Sequence, residues 1–314
     1  MKRRPDRPLL SESELALEDV PCDLCSGRET RVCYKKPDSR RWVSLYEFPV
    51  VECAGCGLVY VNPRPTPSGM APFYDEGYHE GRDTPRHRRR YARQLAFLPP
   101  LEDQKILDIG CARGDFLAFV LERHPRVKAH GVDAYSTGVR DERIAFRRKD
   151  LTECGFPGEE FDVVTSWAVF EHLHRPGLYF QEVRRILKPG GSFVFLVTNS
   201  ESLWGRRAYG EDVPRHTYHY SAPVLRKYAE KHGFEVARIA FDDTIFDGRG
   251  RGTFKWLLTR AAGVTWPAFH RRELSLAQGA ARLFGKMLDS IVFSVHWEAL
   301  LERSGIVVAE FKRP

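Results

Sequence analysis

Two C-x-x-C pairs, Cys22-Asp-Leu-Cys25 and Cys53-Ala-Gly-Cys56, carry the plainest chemical signal in the sequence. Four thiolates close a tetrahedron around zinc at about 2.3 Å, and each C-x-x-C turn aims two sulfurs inward. Gly27 and Gly57 stand just after the pairs and leave backbone amides available to the sulfurs. Four protein ligands leave no position for a substrate, so such a metal is structural and supplies folding energy to a unit too small to have its own core. Disulfides are the alternative for these thiols, and Cys33 is a rival ligand. A second group of chemically capable residues is Glu171-His172 together with the run Pro214-Arg-His-Thr-Tyr-His-Tyr220. Histidine changes protonation near neutral pH, so these positions offer general bases. Glu171 and His172 read equally well as a helix cap, and His219 reads as structural.

The third feature is Leu107-Asp-Ile-Gly-Cys-Ala-Arg-Gly-Asp-Phe116. It follows an apolar run and opens a helical one, where a ligand sits outside the carboxyl end of a sheet against helix amides. A dinucleotide fingerprint wants small residues at its first, third and sixth positions, but the sixth position from Gly110 is Asp115. Small residues stand instead at Gly110, Ala112 and Gly114, with Asp108 two residues ahead. If the middle position needs a positive φ, alanine costs something like 1 kcal/mol there. Further along, Gly131-Val-Asp133 ends a strand run, placing an acid to accept ribose hydroxyls.

The elements that must position these groups alternate. Strands are expected at Lys105–Ile109, Val127–Val132, Ile144–Arg147, Phe161–Trp167, Ser192–Val197 and Phe234–Phe241. Helices are expected at Arg86–Phe97, Asp115–Glu122, Leu178–Leu187 and Ser221–His232, the third stopped by Lys188-Pro-Gly-Gly191. This order predicts an α/β fold, a doubly wound and mostly parallel sheet of seven strands covered by helices on both faces. Ile306–Phe311 reads as a closing strand. Before it, Phe254–Val264 and Gln278–Leu301 read as helices, and Phe284, Leu288, Ile291 and Val295 recur at helical spacing, a stripe expected to pack internally. The expected divisions are a polar N-terminus over 1–19, a zinc ribbon over 20–65, a linker and helical lid over 66–100, a ligand-binding core over 101–241, and a helical insertion with closing strand over 242–314.

Composition is that of a soluble globular protein: 42% hydrophobic, 29% charged and a net charge of +7. No apolar run approaches the roughly 18 residues that span a bilayer, and the charged, Pro-containing start predicts no secretory leader, so the cytoplasm is the default. The positive balance suits an anionic partner and leaves peripheral contact with an acidic membrane surface open.

The joint order of these pieces resembles class I S-adenosylmethionine-dependent methyltransferases over roughly residues 75–240, with Ala112 replacing the usual middle glycine of Asp/Glu-x-Gly-x-Gly-x-Gly. The resemblance implies S-adenosylmethionine as cofactor, held by Asp108, Gly110, Cys111, Ala112, Gly114, Phe116, Asp133 and Ala134. It places Asp150 and Leu151 at the adenine, and Trp167 in the segment after the fourth strand. With the cysteine pairs and Asn62-Pro-Arg-Pro65, the chain looks like bacterial enzymes that modify sugars or other small metabolites, including zinc-bearing sugar C-methyltransferases. That likeness implies a small acceptor, a sugar or nucleotide-linked sugar, with the ribbon packed over the active site. It makes His216 the first candidate for catalytic base, with His172 and Glu171 beside it, although Arg215 stands where many relatives have an acid. Tyr74, Tyr78, Asn199 and Arg215 are the candidate acceptor-binding residues.

Two rival functions are set against this. An RNA methyltransferase would use the ribbon and the Arg82–Arg93 cluster for phosphates. Against it, the fourth strand ends in Ser166-Trp-Ala168, without an Asn/Asp-Pro-Pro-Tyr/Phe segment, and Tyr91 alone stands among the arginines rather than a regular interleaving of aromatics. A non-enzymatic scaffold would have no need of the acids at 108, 133 and 150.

Overall fold

A computed structural model of the chain describes residues 9–38, 43–74, 84–206, 212–246, 252–264, 274–295 and 297–314. Near the N-terminus three antiparallel strands, β1 (Thr30–Pro37), β2 (Glu47–Cys53) and β3 (Val59–Val61), carry the cysteine turns on their ends. The larger sheet follows from β4 (Lys105–Ile109), β5 (Lys128–Val132), β6 (Ala145–Arg147), β7 (Phe161–Trp167) and β8 (Leu187–Thr198). It is completed after a short strand, β9 (Tyr218–His219), by β10 (Glu235–Phe241) and β11 (Ile306–Lys312). Its order is β10-β11-β8-β7-β4-β5-β6. Five strands from β6 to β8 run parallel, while β11 is antiparallel to both neighbours. The seven-stranded, mostly parallel sheet is the one expected from the alternating pattern.

Helices α1 (Pro85–Leu95), α2 (Asp115–Arg123), α3 (Pro176–Ile186) and α4 (Ala222–Lys231) surround it. Central strands buried on both sides explain their unbroken Val, Phe, Leu and Ile runs, as in Phe193–Val197. On one face Phe170, Phe180, Phe193, Phe195 and Phe311 form an aromatic core. On the other, Tyr91 of α1 packs on Phe116 and Phe119 of α2.

The ribbon is joined to this core more closely than linear reading suggested. β9, which follows the core's fifth parallel strand by twenty residues of chain, adds to the ribbon sheet beside β3, pairing Tyr218 with Tyr60 and His219 with Val59. Arg64, 3% exposed, bonds Glu18, the Tyr218 hydroxyl at 3.0 Å and the His174 carbonyl at 2.9 Å. Asp23 accepts from the Gly177 amide at the start of α3 and from the Tyr228 hydroxyl of α4. A charged group buried like this is retained only with such partners.

The segment before the closing strand contains α5 (Thr253–Ala261) and α6 (Leu276–Val292). Asp289 of α6 accepts from the Phe254 and Lys255 amides, and Gly285 lies against the Lys255 backbone. The stripe expected to pack internally does not do so along its length. Phe284 and Ile291 are 52% and 61% exposed, because the side of α6 that meets α5 is the one carrying Gly285 and Asp289.

Candidate active site

At the carboxyl end of β4 the chain turns through Gly110, Ala112 and Gly114, all with positive φ, at +69°, +49° and +75°. An added Cβ on Gly110 would fall 2.4 Å from Cγ2 of Val169, so only glycine fits. Ala112 adopts the left-handed backbone that the alanine makes costly, and it persists because the loop is tied from outside. The tie is Asp133 at the end of β5. One carboxylate oxygen accepts from the Ala112 amide at 2.9 Å, and the other from Tyr135 and Ser136, both at 2.8 Å. Three of about four acceptor directions are thus used by the chain itself, leaving room for one further donor rather than two.

Asp108 sits beneath the loop, 3% exposed and accepting from Thr165 at 2.7 Å. Burial pushes its carboxyl up to about 7; the Thr165 hydrogen bond opposes the rise and the nearby Asp133 charge adds to it. Phe116 meets the edge of Trp167 at 5.2 Å, and Cys111 is buried beside Gly131. The Trp167 indole nitrogen is buried with no hydrogen-bond partner among the described residues, an orphan donor that a bound polar group would satisfy. Asp150 accepts from Thr152 and, across 29 residues, from the Tyr179 hydroxyl. Leu151 is buried and Ala134 exposed next to Tyr135, which is 71% exposed. Thr165 and Tyr179 escaped sequence reading because nothing in local spacing links them to their acids.

Beyond β7 the chain brings together residues that are far apart in sequence. Glu171, His172 and His216 offer donor atoms all within 4.8 Å of one another. His172 and His216 meet edge to face at 4.7 Å. The His172 Nδ1 lies 3.1 Å from the Arg215 carbonyl and 3.3 Å from the Tyr74 hydroxyl. Burial, then the neighbouring His216, holds the His172 pKa well below the usual histidine range, so this ring is neutral at neutral pH. The Thr217 hydroxyl donates to the Glu171 and Leu173 carbonyls and Tyr220 to that of Phe170, fixing one loop on the other.

Two expected acceptor-binding residues are otherwise engaged. Arg215 is fully buried, pairs with Asp212 and donates to the Phe73 carbonyl at 3.0 Å. It clamps the loop rather than presenting a guanidinium to an acceptor. Asn199 donates to the Glu302 and Ser304 carbonyls and accepts from the Glu201 amide, which makes it a tie between β8 and the start of β11. Tyr78 lies outside the described residues.

At the cysteine turns, Cys22, Cys25, Cys53 and Cys56 place their sulfurs within 4.8 Å of one another, with Cys22–Cys56 and Cys25–Cys53 at 3.4 Å. A disulfide would need about 2.05 Å, whereas ligands of one zinc ion are separated by about 3.8 Å. Amides of Leu24 and Cys25 point at the Cys22 sulfur, and those of Gly55 and Cys56 at that of Cys53. The donor set fits a thiolate-bound cation. Cys33 is exposed on β1 and stands apart.

Residues 83–239 match the model of a methyltransferase domain. The chain belongs to that family. A protein of Mycolicibacterium smegmatis named as an S-adenosylmethionine-dependent methyltransferase is 29% identical over 153 residues, 46% of this chain and 56% of that one. The ubiquinone biosynthesis O-methyltransferase of Chelativorans sp. is 29% identical over 162 residues, 46% of this chain and 62% of that one. Among solved structures, an S-adenosylmethionine-dependent methyltransferase from Mesorhizobium loti is 18% identical, with a TM-score of 0.44, covering 71% of this chain and 96% of that one. The chain thus spans less than two thirds of the length of these curated relatives. The family model runs from just before α1 into β10, so the cysteine turns, the α5–α6 segment and β11 lie outside the matched residues.

Proposed function

We propose that the chain is an S-adenosylmethionine-dependent methyltransferase acting on a small molecule, a sugar or glycan-biosynthesis intermediate, with a histidine as base. The observation that carries this is the loop with left-handed residues at 110, 112 and 114, bound to the acid that ends β5. When bound there, S-adenosylmethionine supplies an electrophilic methyl group. Asp108, Gly110, Cys111, Ala112, Gly114, Phe116, Asp133 and Ala134 would hold it, with Asp150 and Leu151 at the adenine and the Trp167 N–H as a donor. Cys22, Cys25, Cys53 and Cys56 would hold a structural zinc ion.

The acceptor's proton passes to the His216 imidazole. His172, kept neutral by burial and oriented by the Arg215 carbonyl, stands edge-on to it, and the buried Glu171 side chain completes the group. Tyr74 closes this group from the lid side. The loop carrying His216 runs straight into β9, the strand that completes the ribbon sheet. The cysteine turns would therefore support the site through backbone pairing, while the sugar-methyltransferase likeness would also have the ribbon pack over the active site and help form the acceptor pocket. Two features weigh against the RNA alternative: Arg88 of α1 pairs with Glu122, and its guanidinium lies 5.2 Å over Phe119, so that helix packs onto α2.

The test is transfer of a tritiated methyl group from S-adenosylmethionine to a panel of nucleotide-linked sugars, quinols and RNA. Label in a sugar or another small acceptor supports the reading, and label in RNA alone defeats it. His216→Ala is expected to slow turnover at least 100-fold, a typical general-base contribution being about 10²–10⁴. Unchanged turnover removes His216 as base.

A further inference from the structure

We infer that the α5–α6 insertion docks onto an anionic membrane surface. Along α6, Leu276, Leu283, Phe284, Met287 and Ile291 are between 50% and 96% exposed. At 100° per residue they fall within one arc of about 100°, roughly opposite Gly285 and Asp289, which face α5. An apolar stripe of this width on a helix 17 residues long is large for a surface left in water.

Charge decides what covers this stripe. Among the described residues from 252 to 295 the charged side chains are Lys255, Arg260, Arg282 and Lys286 against Asp289 alone. That is a net three positive charges, out of the chain's seven, on this one insertion. Asp289 is 4% exposed and spent on the α5 amides, so it does not offset the surface field. A second copy meeting this face would bring the same positive charge against it. An anionic lipid surface satisfies both properties, taking the apolar arc at the acyl boundary and the cations at the headgroups.

No helix among the described residues is long and apolar enough to cross a membrane, so the contact is interfacial. The insertion ends where Asn199 ties Glu302 and Ser304 to the carboxyl end of β8. That is the rim on which the candidate active site lies, so docking would present the site to molecules at the membrane surface.

The experiment is co-sedimentation of the full chain with vesicles of phosphatidylglycerol and phosphatidylcholine in equal parts, and with phosphatidylcholine alone. Binding to the anionic vesicles is expected to be at least about tenfold stronger, and to fall severalfold between 0.05 and 0.5 M salt as surface charge is screened. The variant Leu283→Ser/Met287→Ser/Ile291→Ser is expected to lose most of this binding while keeping its helical circular dichroism and its S-adenosylmethionine affinity. Lys286→Glu should weaken it through charge alone. No sedimentation with anionic vesicles, equal binding to both vesicle types, or full binding by the triple variant would overturn the inference. Concentration-dependent dimerisation of the parent, abolished in the triple variant and without vesicle binding, would assign the face to a second copy instead.

Discussion

Gly110→Ala should be the most damaging single-methyl change in the cofactor loop. The new Cβ would stand 2.4 Å from Cγ2 and 3.2 Å from Cγ1 of Val169, on a backbone with φ +69°. Left-handed backbone costs a non-glycine residue about 1–2 kcal/mol, and overpacking a filled site costs about 1–3, giving roughly 2–5 kcal/mol together. With a stability in the middle of the usual range of about 5–15 kcal/mol the variant still folds, so its loss is measurable by urea titration. Relief by moving Val169 would shift the adjoining Phe170–His172 turn, so turnover should fall further than cofactor affinity. Ala112→Gly is the internal control, because it removes the same kind of strain at φ +49° without adding an atom. It should raise stability by about 0.5–1 kcal/mol, less what the added freedom of the unfolded chain offsets. Finding Gly110→Ala within 0.5 kcal/mol of the parent, or Ala112→Gly clearly destabilising, would refute the loop geometry and the strain reasoning with it.

Three further outcomes are expected. Asp133→Ala should weaken S-adenosylmethionine binding at least tenfold by calorimetry, and also destabilise the free protein, since the Ala112, Tyr135 and Ser136 amides all lose their acceptor. Cys53→Ser should release zinc, measured by a chromogenic chelator, and slow turnover through β9 and His216; full metal content after the change would refute the assignment. The Asp108 carboxyl is pushed up to about 7 by burial, from an ordinary aspartate value of 3.8. Between those values the folded chain holds a proton that the unfolded chain has lost, so this group makes stability fall as pH rises from about 4 to 7. Asp108→Asn should therefore gain stability over the parent at pH 8 relative to pH 5, and equal differences at the two values would contradict the shift.

The parallel sheet was legible because its strands are buried on both faces and read as apolar runs, and the loop because only small residues suit its backbone. The four cysteines were legible as two fixed C-x-x-C spacings, which the fold brings within reach of one another. What stayed hidden depends on long-range partners. Two residues, Tyr218 and His219, weld the ribbon to the core, too short a run to show a strand period. Arg215 and Asn199 looked like acceptor-binding groups because residue type says what a side chain can bond, while only the fold shows that Asp212, Phe73, Glu302 and Ser304 already occupy them. The α6 stripe carries helical periodicity whichever neighbour it meets, so its spacing revealed an apolar face and left open what lies against it.

Under the proposed function, the 110–114 loop, with Asp108 and Asp133 beside it, holds an adenosyl sulfonium. Calorimetric titration of the full chain with S-adenosylmethionine tests this most directly. One molecule bound per chain, with no binding of NADH, is the expected result. No heat and no competition by S-adenosylhomocysteine, or tight binding of the nicotinamide instead, would contradict it.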